Sequence, residues 1–304
     1  MALPSLLAEN FFRFANVVLT DPGAATGFAA SRMRDSKDFL QWKSDAAATK
    51  VYKVDLGDGT AGTPGAIEAT AVAVVNHNLG SEGCDFTVEH SDNDVAWTPV
   101  FTDSPVDDDR IIYRIFDSEG SHRYWRVRFI NATTDTQVGE VYLGRRIDFP
   151  YANVWNGFDP MLEVPVARAT RNVQGRITGT VVEAIDRIIE VTFPLLPFSS
   201  SGSTVREFLA ERNANSFDVL SKFLSWWENA GRMMYPFVFA WNANDASTPG
   251  TTSLFEDDAL WCVADPESEI VRPLATPLDG GYRDLTLRMI GLADPGGGLE
   301  DSLT

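Results

Sequence analysis

Ala71-Val72-Ala73-Val74-Val75-Asn76-His77-Asn78-Leu79-Gly80 and then Phe86-Thr87-Val88-Glu89-His90-Ser91-Asp92-Asn93-Asp94 read as two successive strands with their turns. The first is apolar at every position from Ala71 to Val75. That is too apolar for a strand with one wet face, so it belongs inside a sheet that is covered on both sides. Asn76 to Gly80 then supplies residues that accept a positive φ in a turn. In the second strand Phe86, Val88 and His90 share a face, and Ser91-Asp92-Asn93-Asp94 closes a tight turn through side-chain bonds to backbone amides.

Working outward, Lys53-Val54-Asp55-Leu56-Gly57 precedes this pair, and Trp97 is expected to return the chain to the core. In Tyr124-Trp125-Arg126-Val127-Arg128-Phe129 the residues Trp125, Val127 and Phe129 face one way, with Tyr124, Arg126 and Arg128 facing the other. This predicts a half-buried strand with a cationic outer face. Gly139-Glu140-Val141-Tyr142-Leu143-Gly144 follows. In this order and spacing, over residues 15–146, the blocks resemble the discoidin, or coagulation factor 5/8 type C, branch of the galactose-binding-like jelly rolls. The resemblance implies a β-sandwich that presents loops to a partner or a glycan, and it implies no catalysis in this half. It also implies that a tryptophan at the stage of Trp42 packs into the sandwich. A glycan site needs an exposed ring beside polar groups that fix hydroxyls. Trp42, Arg32, Arg34, His77 and Asn78 lie near expected loops at the sandwich ends and are the candidates, with core packing the competing role for Trp42.

The chain has 304 residues, of which 44% are hydrophobic and 22% charged, enough to bury sizeable cores in about two domains. Its 43 acids against 25 bases give a net charge of −18, a field that repels polyanions and argues against specific nucleic-acid binding. A local basic patch stays compatible with that balance. The run from Leu3 to Val18 is broken by Glu9, Asn10 and Arg13, unlike a secretory signal, and no stretch reaches the roughly 20 apolar residues that span a bilayer. Cys84 and Cys262 sit in apolar, strand-like contexts and are expected to be buried free thiols. These features together predict folding in a cytosol.

The expected organisation is an N-terminal segment over 1–14, the sandwich over 15–146, a β-rich domain over 147–293 with helices near 203–231, and a flexible tail over 294–304. The fold class is therefore mainly β: a galactose-binding-like jelly-roll sandwich followed by a β-rich domain with one helical excursion. Within the second half, Gly175 to Val182 and Arg187 to Phe193 alternate as β-branched strands. Ser203 or Thr204 and then Ser216 are placed to cap helices, and Phe217, Leu220, Phe223, Leu224 and Trp227 recur at helical spacing. Ala259 to Ala264 and Asp284 to Leu292 read as late strands.

With its last strand Tyr282-Arg283-Asp284-Leu285-Thr286-Leu287-Arg288-Met289, the segment over about 160–292 looks like tail and baseplate proteins of long-tailed bacteriophages, particularly the ring-forming distal tail type. That likeness implies a structural virion protein at the tail tip, assembled in the host cytoplasm as a homo-oligomeric ring. Its partners would be other tail or baseplate proteins and a host surface glycan. In such a conduit Asp257, Asp258, Glu267 and Glu269 would face the lumen, where a negative wall lets DNA pass without sticking. Distal tail proteins place the ring-forming domain first, whereas here the sandwich leads. The reading from another class is a carbohydrate-binding, lectin-like protein with an appended β-rich domain.

Catalytic signatures are missing from the sequence. It has three histidines, His77, His90 and His122, and no nucleophile elbow, HExxH pair or phosphate-binding glycine loop. No enzyme, cofactor or metal is expected, although a pair of carboxylates for glycoside hydrolysis is not excluded by sequence. Asp103, Asp107, Asp108 and Asp109 form an oxygen-rich stretch that lacks a calcium-loop pattern and reads as a solvated turn.

Overall fold

The computed structural model describes residues 3–7, 9–37, 40–60, 62–104, 106, 108–116, 120–148, 163–171, 177–197, 235–243, 259–264 and 282–291. The chain is mainly β and forms two compact units. Met1–Asp148 and Phe237–Ala259 belong to the first unit, so the chain leaves it after Asp148 and later returns.

In the first unit the strands run β1 (Leu3–Leu7), β2 (Val18–Thr20), β3 (Trp42–Lys43), β4 (Lys50–Asp55), β5 (Ala71–His77) and β6 (Asp85–Ser91). They continue with β7 (Thr98–Asp103), β8 (Ile112–Ile115), β9 (Tyr124–Ile130), β10 (Gln137–Gly144) and β11 (Ile147–Asp148). Two antiparallel sheets form the sandwich, one ordered β2-β4-β9-β6-β7 and the other β3-β10-β5-β8. Between them lies one cluster of buried residues that includes Trp42, Tyr52, Val72, Val74, Phe86, Val88, Trp125, Val127, Phe129 and Leu143.

The expected sandwich strands take their places for the expected reason, whereas the runs over 175–182 and 187–193, expected as two strands with a short connection, fall in one continuous strand, Ile177–Pro197. All seven residues of β5 are buried, between β10 and β8, and β1 packs on it from outside the sandwich. Asn76 holds φ +51° at its end, a left-handed conformation that Asn tolerates better than most residues. In β9 burial alternates strictly, with Trp125, Val127 and Phe129 fully buried. Cys84 and Cys262 are buried free thiols, and burial raises both thiol pKa values.

Two expectations for the sandwich change. Phe11 and Phe12 sit in a 3-10 turn and belong to the sandwich core, although 1–14 read as a separate segment. Phe12 stacks on Tyr52 at 4.0 Å between ring centroids, and Phe11 lies 6.3 Å from Trp125. A 3-10 turn leaves no helical or strand period for sequence to reveal. Trp97 does not return to the core. It is half-buried on the outer face of the five-stranded sheet, beside the Arg126 guanidinium.

Beyond the sandwich, β1 pairs antiparallel with β11 and with a later strand at Phe237–Ala243. The Ser5 hydroxyl meets the Tyr113 hydroxyl at 2.6 Å, tying β1 to β8. The strand at Phe237–Ala243, in the first unit, is β14, and in the second unit β12 (Glu163–Arg171) and β13 (Ile177–Pro197) form a hairpin. β15 (Ala259–Ala264) pairs with β16 (Tyr282–Gly291), which pairs with β13. The helices expected near 203–231, the tail over 294–304 and the turn cluster over 156–160 lie outside the described residues.

Because Phe12 is 1% exposed and stacks on Tyr52, truncating it removes core packing rather than trimming a terminus. Phe12→Ala should lower unfolding stability of the full chain by about 3–5 kcal/mol in a denaturant titration. A loss below about 1 kcal/mol would return residues 1–14 to the role of a separate segment.

Candidate functional site

A close turn builds the site. The Ser91 hydroxyl accepts from the Asn93 and Asp94 amides, and the Asn93 carboxamide oxygen accepts from the Val95 and Ala96 amides. Asp94 takes φ +60°, which an Asp in such a turn tolerates. These bonds carry the chain from β6 over the outer face of the sheet, where Asp94 and Trp97 land on groups from β4 and β9.

Register decides which groups those are. Lys53 of β4 is opposite Arg126 of β9, and Arg126 is opposite Glu89 of β6. Lys53 donates to both Asp94 carboxylate oxygens at 2.6 and 2.8 Å. Arg126 donates through Nε to Glu89 Oε2, and Arg128 donates through Nη1 to Glu89 Oε1 at 2.9 Å. The Arg126 guanidinium lies 3.9 Å from the Trp97 ring centroid, a cation–π contact that fixes ring and charge together. Tyr124 completes this face of β9, under the Arg123 guanidinium at 4.9 Å.

Exposure separates support from presentation. The Glu89 side chain is 8% exposed, while those of Arg126 and Arg128 are 20% and 28% exposed. The buried carboxylate thus orients two guanidinium groups that still reach water. Among the described residues, the Nη groups of Arg126 and the Nε and Nη2 groups of Arg128 donate to no protein acceptor. Trp97 is itself only partly buried. The arrangement can stack on a flat ligand face and donate several hydrogen bonds beside it.

The sequence candidates lie elsewhere. Trp42 is fully buried, stacks at 5.7 Å on Phe129 and donates its indole N–H to the Gly23 carbonyl, so it packs the core and offers no ring to a sugar. His77 is buried and accepts from the Leu79 amide; burial pushes its pKa down to about 4, so it stays neutral. Asn78 accepts from the Gln137 amide and donates to the Asp135 carbonyl, bridging two turns. Arg32 donates to the Gln41 carbonyl and Arg34 to the Tyr52 hydroxyl. The structure does not gather these five into one surface. Asp257, Asp258, Glu267 and Glu269 lie outside the described residues. In the acidic stretch Asp103 pairs with Arg114, Asp108 with Arg110 and Asp109 with Ser81. Among the described residues no His, Cys, Asp and Glu group could hold a metal ion.

Glu140 is the other unusual charge, and it is closed to ligands. Its side chain is fully buried, between the Arg13 guanidinium and the Ser36 amide, and pins the N-terminal segment against β10. Burial pushes its pKa up to about 7, against the opposing pull of Arg13.

No protein-family model and no curated protein matches the chain. Among solved structures the chain is similar to the module CpGH89CBM32-6 produced by Clostridium perfringens, at 16% identity and a TM-score of 0.35, over 44% of this chain and 98% of that one. It is similar to chitosan-binding module 1 of a chitosanase/glucanase from Paenibacillus sp. IK-5, at 17% identity and 0.34, over 44% and 96%. A third is CpGH89CBM32-5 from Clostridium perfringens, in complex with GalNAc-β-1,3-galactose, at 9% identity and 0.34, over 42% and 94%.

A raised carboxyl pKa means that the folded state favours the neutral acid, so its stabilising effect is complete below about pH 4.5 and is lost as pH rises toward 7. His77 acts oppositely, losing stability as pH falls from 6.5 toward 4. The two offset each other between these limits. The stability of wild type minus that of Glu140→Gln should therefore fall by about 1.4 kcal/mol per pH unit over that window, measured by urea unfolding. A difference that is flat or rises with pH would contradict a raised Glu140.

Proposed function

We propose that the sandwich is a non-catalytic glycan-recognition module whose binding face is the outer side of β4, β9 and β6. One observation carries this reading: Trp97 lies outside the core, only partly buried, and is fixed over Arg126. An aromatic platform beside oriented donors is the arrangement that stacks on a sugar ring and fixes its hydroxyls. Burying the indole in the core would gain more hydrophobic stabilisation, roughly 1.5–3 kcal/mol for a large side chain, so its position points to binding.

A structural role in a phage tail, with the second unit forming a ring among tail proteins in the virion, is favoured by one feature. β13 is 21 residues long, with β12 along its first half and β16 along its second. Among the described residues, the first half and β12 thus make a two-stranded ribbon of roughly 33 Å at about 3.3 Å per residue. Such ribbons are marginal alone and present edges that pair with other chains. Both roles are compatible in one protein that docks through one unit and holds a surface glycan with the other.

Trp97→Ala should abolish binding to a glycan panel while leaving the circular dichroism spectrum and unfolding midpoint nearly unchanged. Trp42→Ala should instead destabilise the fold by about 3–5 kcal/mol. If Trp97→Ala binds every glycan as wild type does, the platform reading fails. For the tail role, mass measurement of the purified chain should give one closed multiple of the subunit; a monomer that is also absent from virions contradicts it.

A further inference from the structure

We infer that the sugar taken by this face is an acidic one, whose carboxylate sits between Arg126 and Arg128 while its ring lies on Trp97. The inference rests on the glycan reading and names the ligand class of the same surface.

The charge arrangement carries it. Lys53, Arg126 and Arg128 share the outer face of two neighbouring strands, and Lys53 is directly opposite Arg126. Like charges in directly opposed positions destabilise a sheet. Two carboxylates, Glu89 and Asp94, answer these three cations. At the centre of this face two guanidinium groups share the single Glu89 carboxylate, in a chain whose net charge is −18. A platform for neutral sugars needs no such pair of guanidinium groups, because amide, hydroxyl or carboxylate groups serve sugar hydroxyls as well.

Geometry adds to charge. Glu89 accepts through a different oxygen from each arginine and so holds the two guanidinium groups side by side. Trp97 fixes Arg126 from a second direction. Each guanidinium has five N–H donors in a rigid fork that matches a carboxylate. One donor of each goes to Glu89, and the rest of those facing water are already oriented. A seat ordered before binding loses less conformational entropy when the anion arrives. Glu89 itself stays behind the pair, 8% exposed, and leaves the outer side of both forks to a ligand.

The test uses the full chain and oligomers of galacturonate, mannuronate and glucuronate, each beside its methyl ester, which keeps the ring and removes the charge. Calorimetric titration should show at least one acid bound about tenfold or more tightly than its ester, the size of a charge-assisted contact. Arg128→Gln should reduce that ratio to about twofold or less, and Arg128→Lys should restore part of it. Raising salt from about 50 to about 500 mM should weaken the acid and leave the ester nearly unchanged. Equal affinity for acid and ester, with both lost in Trp97→Ala, overturns the acidic-sugar inference and leaves glycan recognition standing. An acid preference that survives Arg128→Gln also overturns it. Binding of neither form overturns it too, and the glycan panel with Trp97→Ala then decides separately whether the platform reading falls.

Discussion

The alternation of β9 is the constraint on which the rest depends. Its inward residues Trp125, Val127 and Phe129 are fully buried, and the Trp125 indole N–H donates to the Ile67 and His122 carbonyls. That single ring therefore ties the loop before β5 and the loop before β9 to the core. It also lies within 6.5 Å of Phe11, Phe116, His90 and His122. Fixing the inward set fixes the outward one, because a shift of one residue would exchange the two faces. Arg126 and Arg128 are thus held beside Glu89 and Lys53 by the packing of the residues between them.

Charge is handled differently on the two sides of the sandwich. At Glu140 a carboxylate is taken fully out of water and clamps the N-terminal segment, a costly arrangement in which burial raises its pKa. At Glu89 the carboxylate is nearly as buried, yet its partners reach solvent. The first is a closed lock on the fold. The second holds open groups in place, as a recognition surface requires.

Sequence periodicity revealed most of the sandwich, because β4, β5, β6 and β9 each carry a long apolar or alternating run. It did not reveal Phe11 and Phe12, which pack from a 3-10 turn without a readable period. The pairing of β1 with β14 was also hidden, since the two strands are far apart in the chain and neither names its neighbour. For the site, the cationic outer face of β9 was legible from the alternation of Arg126 and Arg128. Trp97 was not. An indole is read as core by default, and only the turn at Ser91 to Ala96 and the cation beneath it reveal that it lies on the polar face. The five residues singled out instead were chosen for lying near loops, and their side chains turn out to serve turns, carbonyls and the core.

The proposed recognition depends on Trp97, Arg126 and Arg128 forming one ligand surface. Its most direct measurement is an NMR titration of the isotope-labelled full chain with the acidic oligosaccharide, following the side-chain N–H signals. The Trp97 indole and the Arg126 and Arg128 Nε signals should shift together along one saturation curve, while the Trp42 and Trp125 indole signals stay in place. Shifts confined to signals outside this face, or none at saturating ligand, would contradict it.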